Sequence, residues 1–198
     1  MVPEHALADD RALPVLERLH ALDQAQREAG LPTEQRIRNV TPPTGAFLYA
    51  TVLALRPSWI FEMGSSVGYS TIWLALAARA YGGRVIGSEL LPERAEAANQ
   101  HLREAGLDAV AEVRTGDAAE IAGELDGLGL VFIDAEKDDY TRLFEAVIDH
   151  VLPGGLILTD NVVSHDCTAY LSFLRQRSDV TTVTLSYERG IEWTVKGW

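Results

Sequence analysis

The 198-residue chain is 47% hydrophobic and 23% charged, with 29 acidic against 17 basic side chains and a net charge of -12. That balance suits one globular core and argues against a nucleic-acid backbone or an anionic membrane surface as partner. The single cysteine, Cys167, excludes an internal disulfide and a thiolate zinc cluster and reads as a small buried hydrophobe.

Along the chain, Leu13, Leu16, Leu19 and Leu22 recur every third residue among Glu17, Arg18, Asp23 and Gln24, which predicts an amphipathic helix over 13–29, a packing or dimer element that Gly30 and Pro32 end. Ahead of it, Met1-Val2-Pro3-Glu4-His5 has no charged-then-apolar export pattern, and no run approaches the roughly 20 apolar residues of a membrane span, so the expected location is cytoplasmic. Residues 39–45, with Pro42 and Pro43, read as a loop, and 46–55 as a short apolar helix before Pro57. Residues 1–57 are thus an N-terminal helical extension of a single domain covering 1–198.

From Trp59 the pattern alternates. An apolar strand (59–63) meets the turn Gly64-Ser65-Ser66-Val67-Gly68, and helical periodicity follows through Ile72, Leu74 and Ala75. Glycine lets a ligand approach main-chain N–H groups closely, and the helix start behind it favours an anionic group. Strands at 84–88, 111–115, 128–133 and 156–158 are separated by helices at 92–105, 118–125 and 140–151, the last followed by the turn Pro153-Gly154-Gly155. A helix over 168–178 precedes two β-rich runs, 180–185 and 191–196, whose short connection requires them to be antiparallel. The expected fold is α/β, a doubly wound and mostly parallel sheet with an antiparallel C-terminal strand. Trp73 and Trp193 are assigned to the core, and Trp198 to an exposed terminus or a subunit contact.

Ligands of such sheets sit beyond the carboxyl ends of the strands. Five carboxylates fall there: Glu62, Glu89, Asp117, Asp134 and Asp160, more than helix capping by Asp explains. With neighbouring fourth and fifth strands, Asp134, Asp160 and Asn161 bring three hard oxygen ligands within reach of one point, a set that suits Mg²⁺ or Ca²⁺ and not zinc. Lys137 lies three residues after Asp134, and a cation beside a lysine makes it a usable base. The alternative is a surface lysine and two helix caps. The glycine turn has serine where a dinucleotide fingerprint needs its second glycine, and Tyr69 after Gly68, so a nucleoside lacking a diphosphate fits better, with Glu89 on its ribose diol.

The segments 62–70, Glu89, Gly116-Asp117-Ala118, Phe132 to Tyr140 and Asp160-Asn161, in this order, resemble the motifs of the cation-dependent S-adenosylmethionine O-methyltransferases, the group of the catechol and caffeoyl-CoA enzymes. The resemblance runs from about Arg36 to Lys196. It implies a seven-stranded Rossmann-like methyltransferase sheet with N-terminal helices, and S-adenosylmethionine with Mg²⁺ or another divalent cation as cofactors. Gly64 and Ser65 would line the methionine part, with Glu62 and Ser70 close to its polar end, Gly68 would also bind the cofactor, and Val40 would pack from the preceding loop. Glu89 would take the ribose, Asp117 and Ala118 the adenine edge. Asp134, also beside the cofactor, would hold the metal with Asp160 and Asn161, and Lys137 would deprotonate the acceptor hydroxyl. The implied partners are a small hydroxylated aromatic acceptor and a second copy of the chain, with no nucleic acid and no membrane.

The chain departs from the group after Asn161, where Val162-Val163-Ser164-His165-Asp166 is shorter than the usual acceptor-shaping loop. His165 reads as a solvated loop histidine that is near enough to touch an acceptor. Three other functions compete. A nucleic-acid or protein methyltransferase is disfavoured by the acidic charge and by Asp160-Asn161-Val162-Val163, which lacks the Pro-Pro-aromatic sequence usual in such amino-group enzymes. A nicotinamide oxidoreductase is weakened by the missing glycine and the missing Tyr-x-x-x-Lys pair. A non-catalytic S-adenosylmethionine-binding dimer is demanded by nothing, since the expected ligands and base are all present.

Overall fold

Residues 9–198 are described by the computed structural model; the Met1 to His5 stretch read for an export pattern lies outside them. Seven strands form the central sheet: β1 (Trp59–Met63), β2 (Arg84–Glu89), β3 (Ala111–Thr115), β4 (Leu128–Ile133), β5 (Val151–Asp160), β6 (Val180–Leu185) and β7 (Ile191–Lys196). They lie in the order β3-β2-β1-β4-β5-β7-β6. The pairs among β1 to β5 are parallel, each reached through a helical crossover, while β7 runs antiparallel to both β5 and β6. Strand order reverses between β1 and β4, and such a switch point opens a crevice at the carboxyl ends of the strands.

Apolar residues alternate across the sheet, and both faces are covered. Ile60, Leu130, Phe132 and Leu158 face α1 (Ala12–Glu28), α2 (Pro42–Leu55), α3 (Tyr69–Arg79) and α4 (Pro92–Glu104) through Leu16, Leu48, Trp73 and Leu102. Phe61, Met63, Val131 and Ile157 face α5 (Ala118–Ala122), α6 (Tyr140–Val147) and α7 (Thr168–Gln176) through Ile121, Tyr140, Phe144 and Leu174. Two-sided burial is why these strands read as unbroken apolar runs. Cys167 and Trp73 are buried as expected, Trp193 is half-buried with its ring centroid 6.1 Å from that of Phe47, and Trp198 is exposed. No helix among the described residues is long and apolar enough to cross a membrane.

Several boundaries differ from expectation. Helix α2 begins at Pro42, inside the stretch read as a loop: the Thr41 hydroxyl accepts from the Thr44 N–H at 3.2 Å, and the two prolines fill positions whose N–H groups need no partner. Helices α5 and α7 stop two or three residues early. Helix α6 ends at Val147 and is followed by a tighter turn, Ile148–His150. The Pro153-Gly154-Gly155 turn falls inside β5, where the pairing skips from Leu128–Val151 to Leu130–Leu156 and the intervening residues bulge out, so proline's missing N–H breaks no ladder bond.

Helices α2 and α3 meet at Gly45, where a Cβ would collide with the Trp73 indole, which is wholly buried. Gly45→Val is therefore expected to lower the unfolding free energy by about 1–3 kcal/mol through overpacking. Urea denaturation checks this as a lower midpoint at unchanged slope, and an unaltered midpoint would mean the two helices can separate at no cost.

Candidate active site

At the carboxyl ends of the parallel strands the crevice is a cavity of about 730 Å³, within the usual range for small-molecule sites. Its first wall is the glycine turn. Gly64 has φ +96°, and a Cβ there would strike the Asp134 carbonyl; the Asp134 N–H in turn donates to the Met63 carbonyl at 3.0 Å. The Gly64 and Ser65 N–H groups both donate to the Ser88 carbonyl, at 3.1 and 2.9 Å. The loops after β1, β2 and β4 are thus laced together by main chain, and glycine is required where they touch.

Val40, Gly64, Ser65, Ser70, Glu89, Asp117, Ala118 and Asp134 line this cavity, as do Lys137, Asp160, Asn161 and His165. Glu62 and Gly68 do not. Glu62 points from β1 toward α3, where it is fully buried and accepts from the Ser65 hydroxyl at 2.6 Å and from the Thr71 hydroxyl. Burial raises its pKa above the usual carboxylate range. Gly68, with φ +86°, starts α3 and lies against Ala98 of α4, so its role is close packing. Both residues lie behind the cavity wall, next to the Ser65 and Ser70 turn and helix start that line it.

Glu89 is held by one N–H on each oxygen, from Leu91 at 3.0 Å and Ser66 at 2.9 Å, which leaves lone pairs free to accept hydroxyl groups. Asp117 caps α5 by accepting the Ala119 N–H at 2.7 Å and pairs with Arg142 at 3.0 Å. The Arg142 guanidinium holds the Asp117 carboxyl below the usual carboxylate range.

The second wall comes from β4 and β5, which are paired up to Ile133 and Thr159. The next residues, Asp134 and Asp160, therefore emerge side by side. Asp134 Oδ1 accepts from Lys137 Nζ at 3.2 Å and from Asn161 Nδ2 at 2.8 Å. Asn161 sits at φ +65°, a left-handed conformation that asparagine tolerates better than most residues. Asp160 is 2% exposed, and its Oδ1 is buried with no hydrogen-bond partner. Burial, and then the Asp134 charge, push its carboxyl well above the usual range.

Lys137 Nζ also donates to the Ala135 carbonyl at 2.9 Å and to the Tyr140 hydroxyl at 2.6 Å, and that hydroxyl donates to the Asp160 carbonyl at 2.8 Å. Burial drives the Tyr140 pKa upward, so the phenol stays a neutral donor. Two adjacent carboxylates, one with an orphaned buried oxygen, beside a carboxamide form a hard-oxygen set that fits Mg²⁺ or Ca²⁺. No group of three or more His, Cys, Asp or Glu side chains able to hold a metal occurs among the described residues.

The structure adds three residues that sequence reasoning missed. Tyr140 fixes the lysine; its only signal was a position three residues after Lys137 at a helix start. Arg142, in the first turn of the same helix, reaches Asp117 across 25 residues of chain. Arg189 lines the cavity from the β6–β7 loop and carried no sequence signal at all. Across the mouth, Arg38 pairs with Glu136 at 2.7 Å and the Thr41 hydroxyl donates to Glu188 at 3.0 Å. His165 is exposed, with Nδ1 2.9 Å from the Ser164 hydroxyl oxygen.

A family model described as a methyltransferase domain matches residues 61–162. The chain is 37% identical over 150 residues to a catechol O-methyltransferase of Niastella koreensis, a match covering 73% of this chain and 66% of that protein. It is 36% identical over 126 residues to one of Mycobacterium tuberculosis, covering 63% and 57% respectively. The matched part thus spans less than two thirds of these curated relatives. Among solved structures, the O-methyltransferase TomG from Streptomyces achromogenes, in complex with S-adenosylmethionine, superimposes with a TM-score of 0.78 at 29% identity, covering 92% of this chain and 90% of that one. The Bacillus cereus O-methyltransferase in complex with S-adenosylhomocysteine gives the same TM-score and coverage at 27% identity.

Proposed function

This chain belongs to the cation-dependent S-adenosylmethionine O-methyltransferase family, and from that premise we propose that it moves a methyl group from S-adenosylmethionine to a hydroxyl of a small diphenol held by Mg²⁺ or a similar divalent ion. The observation that carries the proposal is the opening of two unlike walls into one cavity: the glycine turn with Glu89 on one side, and the Asp134, Lys137, Asp160, Asn161 group on the other. When bound, the cofactor supplies a methyl carbon on a sulfonium, and the divalent ion supplies a Lewis acid for two vicinal acceptor oxygens.

Gly64 and Ser65 bear on the methionine part, Val40 and Ser70 close it from α2 and α3, Glu89 accepts the ribose hydroxyls, and Asp117 with Ala118 borders the adenine. Asp134, Asp160 and Asn161 hold the metal. A divalent ion held by the neighbouring Asp134 would disfavour the protonated form of Lys137. As the neutral amine, Lys137 Nζ would take the proton of the acceptor hydroxyl, while the cofactor would give up its methyl group and leave as the thioether. The hydroxyl of Tyr140 and the carbonyl of Ala135 hold that nitrogen in place, which is the positioning such a displacement needs. Action in the cytoplasm as a homodimer, without nucleic acid or membrane, completes the proposal.

Calorimetry with S-adenosylmethionine, followed by labelled methyl transfer to small diphenols with Mg²⁺ and with chelator, tests it. Binding and chelator-sensitive transfer are expected. Transfer indifferent to chelator removes the metal from the mechanism, and failure to bind the cofactor removes the whole reading.

A further inference from the structure

We propose that Arg189 binds an anionic substituent of the acceptor, so that the acceptor class is a vicinal diphenol carrying a carboxylate. This rests on the methyl-transfer reading above for the identity of the acceptor, though not for the presence of an anion site.

The other cationic side chains around the cavity are committed. Lys137 is on Asp134, Arg27 on Asp23, Arg38 on Glu136, Arg142 on Asp117 and Asp139, and Arg94 on the carbonyls of Glu34 and Arg36. Arg36 keeps a buried Nε without a partner but spends its Nη2 on the Thr33 hydroxyl. Arg189 differs from all of them. It is half-buried and lines the cavity, and its guanidinium has no hydrogen-bond or ion-pair partner among the described residues.

Its backbone is nevertheless fixed. The Arg189 carbonyl accepts from the Val163 and Ser164 N–H groups, each at 3.0 Å, and the Gly190 N–H donates to the Tyr187 carbonyl at 2.8 Å. Gly190 has φ +89°, and Val163 occupies the space its Cβ would need. A main chain clamped at this point fixes the place from which the side chain enters the cavity lining. Arg189 shares the cavity lining with Asp160, Asn161 and Lys137 of the metal-side wall.

The remaining lining points the same way. Tyr69 is the only Phe, Tyr or Trp in it and is itself 1% exposed, so beside the His165 imidazole a neutral ring finds no aromatic face to stack on, whereas Asp134, Lys137, Asp160 and Asn161 share the lining with Arg189. A partly desolvated guanidinium is best satisfied by a planar two-oxygen anion, which it grips with paired N–H bonds. The cavity of an acidic protein thus keeps an uncommitted arginine in the lining it shares with the metal-side residues.

The test uses the full chain saturated with S-adenosylhomocysteine and Mg²⁺, titrated calorimetrically with 3,4-dihydroxybenzoate and with the uncharged 3,4-dihydroxybenzyl alcohol. The carboxylate is expected to bind about 10- to 100-fold more tightly, the range of a hydrogen bond to a charged group. Arg189→Ala should shrink that ratio to within about threefold, with alcohol and S-adenosylmethionine affinities unchanged as the control for folding, and Arg189→Lys should restore part of it, having charge without the fork. Equal affinities in the unmodified protein, a ratio that survives Arg189→Ala, or lost S-adenosylmethionine affinity in that variant would each overturn the proposal, the last by handing the guanidinium to the cofactor's carboxylate. Methyl transfer followed in the same samples separates the two readings. Arg189-dependent carboxylate binding without transfer to either compound sinks the transferase reading alone, and transfer with equal affinities sinks the anion site alone.

Discussion

Replacing Lys137 by alanine is expected to lower turnover by about 100- to 10,000-fold, the range for removing a positioned general base, with S-adenosylmethionine affinity changed by no more than about twofold, since Nζ touches only Asp134, Ala135 and Tyr140. The separation between the two effects follows from where the side chain is tethered. All three partners belong to the metal-side wall or to α6, and none to the glycine turn or to Glu89. Arginine at the same position would keep the charge beside Asp134 but could not give up a proton, so Lys137→Arg should be as slow as Lys137→Ala. Single-turnover kinetics alongside cofactor titration reads both quantities. Parallel loss of turnover and cofactor binding in the alanine variant would make Lys137 a strut of the cavity and end its assignment as the base.

Asp160→Asn is expected to weaken divalent-ion binding by at least about 100-fold, the upper end of what losing a mere ligand-supporting residue costs, and to abolish methyl transfer. The metal-free protein should lose no stability. In the absence of a cation, Asp160 is a carboxylate almost wholly out of water, facing Asp134, with one oxygen unsatisfied. An amide of the same shape removes the buried charge, while the Tyr140 bond survives because it is made to the Asp160 backbone carbonyl. The sign of the pH dependence follows. A carboxyl whose folded pKa is raised contributes its full stability below its unfolded pKa and loses it as pH rises through the folded value. The variant should therefore melt at the same or a higher temperature than the native chain in chelator at pH 8, with the difference fading toward pH 4. A variant that melts well below the native chain in chelator at pH 8 would mean that Asp160 stabilises the fold without metal.

The order of elements was readable because both faces of the sheet are covered, which produces unbroken apolar strands between amphipathic helices, and because five residues between β6 and β7 leave no room for a crossover. Boundaries were less readable where a local preference carries two meanings. Proline reads as a helix breaker, yet after the Thr41 cap two prolines open α2; Pro153 and the glycines after it read as a turn, yet they bulge within β5.

At the site, strand ends located Glu89, Asp117, Asp134 and Asp160, since parallel strands deliver their last residues to a common edge. The same rule overreached at Glu62, one position earlier in β1. The alternation of side chains turned it toward α3, where the Ser65 and Thr71 hydroxyls receive it. Tyr140 and Arg142 became visible only once α6 fixed which way they point. Arg189 lies 29 residues after Asp160 in a loop without any regular pattern, and only the pairing of that loop with residues 162–164 brings it to the cavity.

The strand order also sets a timetable. A growing chain has made β1 to β4 by Ile133, and with them the glycine turn, Glu89 and Asp117, but β5 remains an open sheet edge until β7 is made and takes its place beside it. The corner after Asp160 waits as well, because the Val162 N–H is held by the Gly190 carbonyl at 3.1 Å. The wall with the glycine turn and Glu89 therefore has all its strands before the wall with Asp160 and Asn161, which needs Gly190 and β7 to be complete.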